Sequence, residues 1–170
     1  KRVLQEAAVV GRVFWAEPLR GRLGDVADPL TALELRGLVL PRQTSGLAGQ
    51  TEFAFKHALL RDVAYASLPV AQRARGHADV AEWLEEISQD RVGEVMELVA
   101  YHYAVAADGW DADPGDPGEA ELVTANAFRS LVRAGVGARR RYAIAKAVEL
   151  HRRALDYAAD VSERAEAPAA

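Results

Sequence analysis

The stretch LVLPRQTSGLAGQTEFAFKHALLRDVAYASLP, residues 38–69, changes its period twice, and the two changes decide the fold. LVLPRQ (38–43) reads as a strand, TSGLAGQ (44–50) as a turn and TEFAF (51–55) as a returning strand. Phe53 and Phe55 share one face at a spacing of two, as alternate strand residues do. Pro41 has no N–H to give to a ladder, which puts its strand at a sheet edge. From His57 to Leu68 the apolar residues return at helical spacing, with Leu60, Val63, Ala64 and Leu68 on one stripe. Pro69 closes this helix, because the residue before a proline is steered out of the helical region.

Three helices precede the hairpin. In the first, over 2–10, Val3, Leu4, Ala7, Ala8 and Val10 lie close to one face, and Gly11 ends it. Phe14 and Trp15 follow as bulky anchors. A short helix over 17–23 carries Leu19 and Leu23 one turn apart. The third opens at Asp28-Pro29, where Asp can cap and Pro fits the first turn, and it ends at Gly37 with Leu30 and Leu33 inward. Three helices, a β-hairpin and a further helix make a winged-helix arrangement over 1–68.

The rest reads as helix. Segment 70–87 turns Ala74, Ala78, Ala81 and Leu84 inward, and 91–107 turns Val95, Leu98, Val99, Tyr101 or His102, and Val105 inward. Together these connecting helices cover 70–107. An acidic Gly/Pro loop is expected over 108–118, within DGWDADPGDPGE (108–119). Helices over 119–136 and 141–159 follow, and 160–170 reads as a disordered tail. In KAVELHRRALDY (146–157) the small residues Ala147 and Ala154, with Gly135 upstream, approximate the second helix of a tetratricopeptide-type (TPR-like) repeat. His151 stands where an aromatic is usual. One degenerate repeat cannot stand alone, so its neighbours are either further repeats or the helices of 70–107. The fold class expected is mainly α: a winged helix with a small hairpin, then an antiparallel TPR-like array.

Composition narrows the function. The chain has 170 residues, a net charge of −4, 50% hydrophobic residues and no cysteine. Disulfides and thiolate metal sites are excluded, and a reducing, cytoplasmic compartment is expected. No apolar run approaches the length of a membrane span. The start, KRVLQEAAVVGRVFW, lacks an initiator Met and opens inside a helix, which reads as a piece of a longer protein. Phosphate-binding P-loops need Gly-Lys-Ser/Thr, and none of the three lysines (Lys1, Lys56, Lys146) follows a glycine. The chain is therefore not expected to be an enzyme by itself, and no catalytic residue is assigned. His57, His77, His102 and His151 show no zinc-protease spacing, Asp108, Asp111, Asp113 and Asp116 do not fit a calcium-loop register, and no metal site is expected. Glu85-Glu86 reads as ordinary helix-face charge.

AAVVGRVFW (7–15), LRGLVLPR (35–42) and FAFKHALLRDVAYASL (53–68) carry a resemblance to the signal-transducing ATPases with numerous domains. YHYAVAADG (101–109) and RYAIAKAVELHRRAL (141–155) are similar to the start of the helical repeats in the large bacterial regulators of that group. Those regulators join a P-loop ATPase, a winged helix and helical repeats beside adenylate cyclase or LuxR-type DNA-binding domains. The resemblance implies a regulatory, protein-binding role. The partners it implies are a preceding P-loop ATPase module in the same protein, further helical repeats and other proteins. ADP or ATP would be bound by the parent, with no cofactor held by this chain alone. In the family a Met-His-Asp tripeptide opens a helix, and its histidine reaches the β-phosphate of ADP. KHALLRD (56–62) is similar to that stretch: His57 aligns with the histidine, Lys56 replaces the Met, and Ala58 replaces the Asp.

His57 is accordingly the nucleotide-sensing candidate and Lys56 a phosphate neighbour. The plain alternative for His57 is a helix-start histidine bonded to a backbone carbonyl. A helix start offers free N–H groups, so an imidazole there suits an anion on chemistry alone. Two other readings stay open: a DNA-binding winged-helix regulator and a nucleotide-independent protein scaffold. The reading helix PLTALELRG (29–37) offers Glu34 and only Arg36, and the wing sets Arg42 against Glu52, which is poor in phosphate contacts. Arg139-Arg140-Arg141, the best basic run, reads as a solvated turn.

Overall fold

A computed structural model describes residues 1–88, 94–112 and 116–166. The described chain is mainly helical, with a small antiparallel sheet, and forms two compact units, Lys1–Gly76 and His77–Ala170. Among the described residues no helix is long and apolar enough to cross a membrane.

The first unit contains α1 (Arg2–Val10), β1 (Val13–Trp15), α2 (Ala16–Leu23), α3 (Ala27–Leu35), β2 (Val39–Pro41), β3 (Glu52–Phe55) and α4 (Ala58–Ala66). It extends past residue 68 into the opening turns of α5 (Val70–Ile87), where a Cβ built on Gly76 would meet Val9 of α1 at 3.0 Å. Its sheet has the order β1-β3-β2. The hairpin is the one expected from the period of two, and Pro41 lies on an edge strand. β1 was not expected, because three residues are too few to show a period. Phe14 and Trp15, read as anchors, pair as strand residues with Phe53 and Glu52. The core grows from that pairing: Phe14 stacks on Phe53 at 5.6 Å and meets Phe55 at 5.4 Å between ring centroids.

Helix ends follow local chemistry, with one correction. Gly37, at φ 65, lets α3 stop: the Gly37 N–H donates to Glu34 O and the Leu38 N–H to Leu33 O, satisfying two carbonyls the helix leaves over. At its start, Asp28 does not cap. The cap position is Val26, without a side-chain cap; Asp25 just before it accepts from the Ala27 N–H at 3.0 Å, and Asp28 lies inside the first turn. α4 needs a second correction. Ala64 and Leu68 are buried as expected, but Val63 is 61% exposed and Leu59 is 73% exposed. α4 packs against α1 and β3, and Val63 and Leu59 stay outside the covered surface.

In the second unit, α5 keeps Ala78, Ala81 and Leu84 buried, as its spacing required. α6 (Glu94–Ala112), α7 (Pro117–Arg140) and α8 (Ile144–Glu166) follow. Asp116 caps α7 by accepting from the Gly118 N–H, with Pro117 at the first position. A turn over 141–143 folds α8 back antiparallel on α7. Arg141 meets Glu97 while Tyr157 meets Ala104, so α8 runs along α6 in the same direction. Small side chains line the helix contacts, with Ala100, Ala104, Ala107, Ala127, Ala134, Ala138, Ala147 and Ala154 all buried, around the larger buried Leu84, Tyr103 and Leu131.

The loop expected over 108–118 is mostly helix: α6 continues to Ala112 and α7 opens at Pro117. Buried Trp110, and the bonds of Asp108 to Tyr157 and Arg153, outweigh the low helix propensity of Asp and Gly there. Residues 113–115 of that loop lie outside the described residues, as do 91–93, expected as the start of the preceding helix. The tail expected from 160 is helical as far as Glu166, and 167–170 lie outside the described residues.

Candidate functional site

His57 stands at the junction of β3 and α4. Its backbone is extended, at φ −129 and ψ 130, so it is the cap residue rather than the first helical one. Its side chain is exposed and makes no hydrogen bond among the described residues. The carbonyl-bonded alternative for this histidine is therefore not realised. The Leu60 N–H turns back to the His57 carbonyl at 3.1 Å, while the N–H groups of the first turn ahead of it have no carbonyl to reach. Lys56, also exposed, ties its N–H to Leu38 O, and its Nζ lies 3.6 Å from the position of a Cβ on Gly37. Ala58 places no carboxylate beside His57. The site thus offers an imidazole, an ammonium and a helix N-terminus, a cationic surface suited to an oxyanion.

The neighbouring side chains are committed inward. Arg61 Nε donates to Ala8 O at 3.0 Å, one of the carbonyls left over at the end of α1. Its guanidinium lies 4.6 Å from the Tyr65 ring centre, with Arg73 at 5.0 Å from the same ring. Asp62 pairs with Arg61, at 3.3 Å.

Glu52 is the second polar centre of this unit, and sequence reasoning missed its role. It is only 4% exposed. It accepts from Arg42 Nε at 2.6 Å, Trp15 Nε1 at 3.1 Å, Ser45 Oγ at 3.3 Å and the Gly46 N–H at 2.7 Å. Four donors satisfy one buried carboxylate, as a buried charge requires. Together they hold the loop between β2 and β3 against the sheet. The signal was hidden because Trp15 faces Glu52 only through β1.

The other histidines are structural in their surroundings. His77 and His102, fully buried on α5 and α6, approach to 2.7 Å between their Nδ1 atoms, beside the Tyr101 ring. His151 packs on Gly135, where a built Cβ would stand 2.6 Å from its Cε1. Among the described residues no three His, Cys, Asp or Glu side chains are grouped to hold a metal ion.

A cavity of ≈ 350 Å³ in the second unit is lined by Glu85, Asn126, Arg129 and Arg133. Glu85 is more than surface charge: it accepts from the Tyr103 hydroxyl and pairs with Arg133, each at 3.2 Å. Burial, and then the Glu85 carboxylate, hold the Tyr103 phenol far above its usual range. Burial and the Asp108 carboxylate do the same to Tyr157. Asp108 and Asp116, weighed as calcium ligands, are respectively a partner of α8 and the cap of α7.

No protein-family model, curated protein or solved structure matches this chain.

Proposed function

We propose that this chain is the regulatory and interaction segment of a multidomain signal-transducing ATPase, a winged helix followed by the opening of a TPR-like array. The order helix–strand–helix–helix–strand–strand–helix, with the first strand added beside the third, supports the winged-helix reading. Gly135 under His151, with Ala147 and Ala154 buried between α7 and α8, supports the repeat reading.

The observation that carries the proposal is His57: exposed, without a hydrogen bond among the described residues, and set at a helix start beside Lys56. A preceding P-loop module would hold ADP, and His57 would donate to its phosphate, latching the winged helix closed. Exchange for ATP, or a ligand on the repeats, would release it. A bond from imidazole to a phosphate oxygen is worth about 1.5–3 kcal/mol, enough to bias a two-state module about tenfold or more. The test is ADP dissociation from the longer parent protein. His57→Ala should release ADP about tenfold faster or more; equal rates would remove the latch.

The exposed stripe of Ile144, Val148 and Leu155 on α8 favours a second reading, a nucleotide-independent scaffold on which a further helical hairpin packs. Equal ADP release in the mutant, with partner binding lost on α8 substitution, would select it. The DNA-binding reading has less support, because the Arg42 guanidinium is bound to buried Glu52.

A further inference from the structure

We infer that the turn between α7 and α8, centred on Tyr142, is a docking tip whose occupant is the exposed face of α5 in a second copy of this chain. Tyr142 has φ 62, the left-handed conformation that disfavours every residue with a Cβ. It occupies the position where a helix-ending glycine normally sits: its N–H donates to Arg139 O at 3.0 Å, and the Ala143 N–H donates to Ala138 O at 2.9 Å. The fold would be better served by glycine, yet the position carries a large ring that is 89% exposed. Among the described residues that side chain makes no hydrogen bond or ring contact. A strained, exposed aromatic is the mark of a contact made elsewhere.

The surroundings state the chemistry of the partner. Arg139 and Arg140 are exposed and make no ion pair among the described residues, whereas Arg141 is occupied by Glu97. Ile144, exposed on the first turn of α8, extends the apolar area. The tip is therefore cationic and apolar together.

The complementary surface lies on α5, in the same unit. Asp79, Glu82 and Glu86 follow one another at helical spacing, and Ile87, next to Glu86, is 37% exposed. Glu82 and Glu86 make no ion pair among the described residues. Partial burial, then Asp79, Glu86 and Glu85, hold the Glu82 carboxyl above its ordinary range, so this face gains from a neighbouring cation. Arg139 and Arg140 on the tip, and Glu82 and Glu86 on the face, have no ion pair among the described residues, and a second copy supplies each pair with its match. The contact is head-to-tail, so it propagates or closes into a ring. Exposed ion pairs are weak and screened by salt, which makes the association weak and salt-sensitive.

Sedimentation of the whole chain over a wide concentration range tests this. Wild type should self-associate at low salt and dissociate at high salt. Tyr142→Gly should keep or raise the melting temperature while weakening association about fivefold or more. Reversing the tip (Arg139→Glu with Arg140→Glu) or the face (Glu82→Arg with Glu86→Arg) should abolish association in each variant alone. An equal mixture of the two should restore it. A wild type that stays monomeric, association that survives Tyr142→Gly, or a mixture that fails to associate would each overturn the inference.

Discussion

At the scale of single residues, burial decides what a charged or polar group is for. Glu52 looks in sequence like one polar residue of a strand, but four donors converge on its buried carboxylate. Glu52→Ala removes the acceptor and strands the Gly46 N–H, while Trp15 Nε1 keeps its longer bond to Ser45 Oγ at 3.2 Å. Because Arg42 is half-exposed and can recover water, the expected cost is about 2 kcal/mol, read as a shift in the urea midpoint. His77 and His102 give a second case. One Nδ1 must donate and the other accept across 2.7 Å, so both rings cannot be charged without setting two N–H groups against each other. His102→Leu removes this partner from the buried His77 Nδ1 and should cost about 1–3 kcal/mol, read as a shift in the urea midpoint.

At the scale of elements, close helix packing and turn chemistry carry the architecture. α7 and α8 approach so tightly that Gly135 has a histidine ring where a side chain would be. Gly135→Ala should cost about 1–3 kcal/mol by overpacking. Adding His151→Ser should return part of that, and a double-mutant cycle would show the coupling. Much at this scale was legible beforehand. The bounds of α1 and α5 follow from apolar spacing with Gly11 and Pro69, and the hairpin follows from the period of two at Phe53 and Phe55. The failures have identifiable causes. β1 is too short to show a period, and α6 runs through Asp108 and Gly109 because Trp110 is buried beyond them.

At the scale of the whole molecule, the two units differ in what they bury. The second holds two phenols, Tyr103 and Tyr157, that burial and adjacent carboxylates keep protonated. A phenol whose folded value is raised contributes stability that is complete below about 10, the unfolded value, and is lost as pH rises beyond it. Alkaline unfolding followed by circular dichroism should thus begin above that pH. Tyr103→Phe combined with Tyr157→Phe should lessen the slope.

The amino-acid sequence by itself determined the mainly helical class, the β2–β3 hairpin and the lack of a P-loop and of thiol chemistry, because these rest on local spacing and on residue types present or missing. It also singled out His57, although only the structure shows that imidazole exposed and without a hydrogen bond among the described residues. Tertiary structure alone decided the third strand, the Glu52 hub, the paired histidines and the exposure of Val63. Each of these joins residues far apart in the chain, or depends on which flank of a helix its neighbours cover. A period read along one segment contains no information about the surface it will meet.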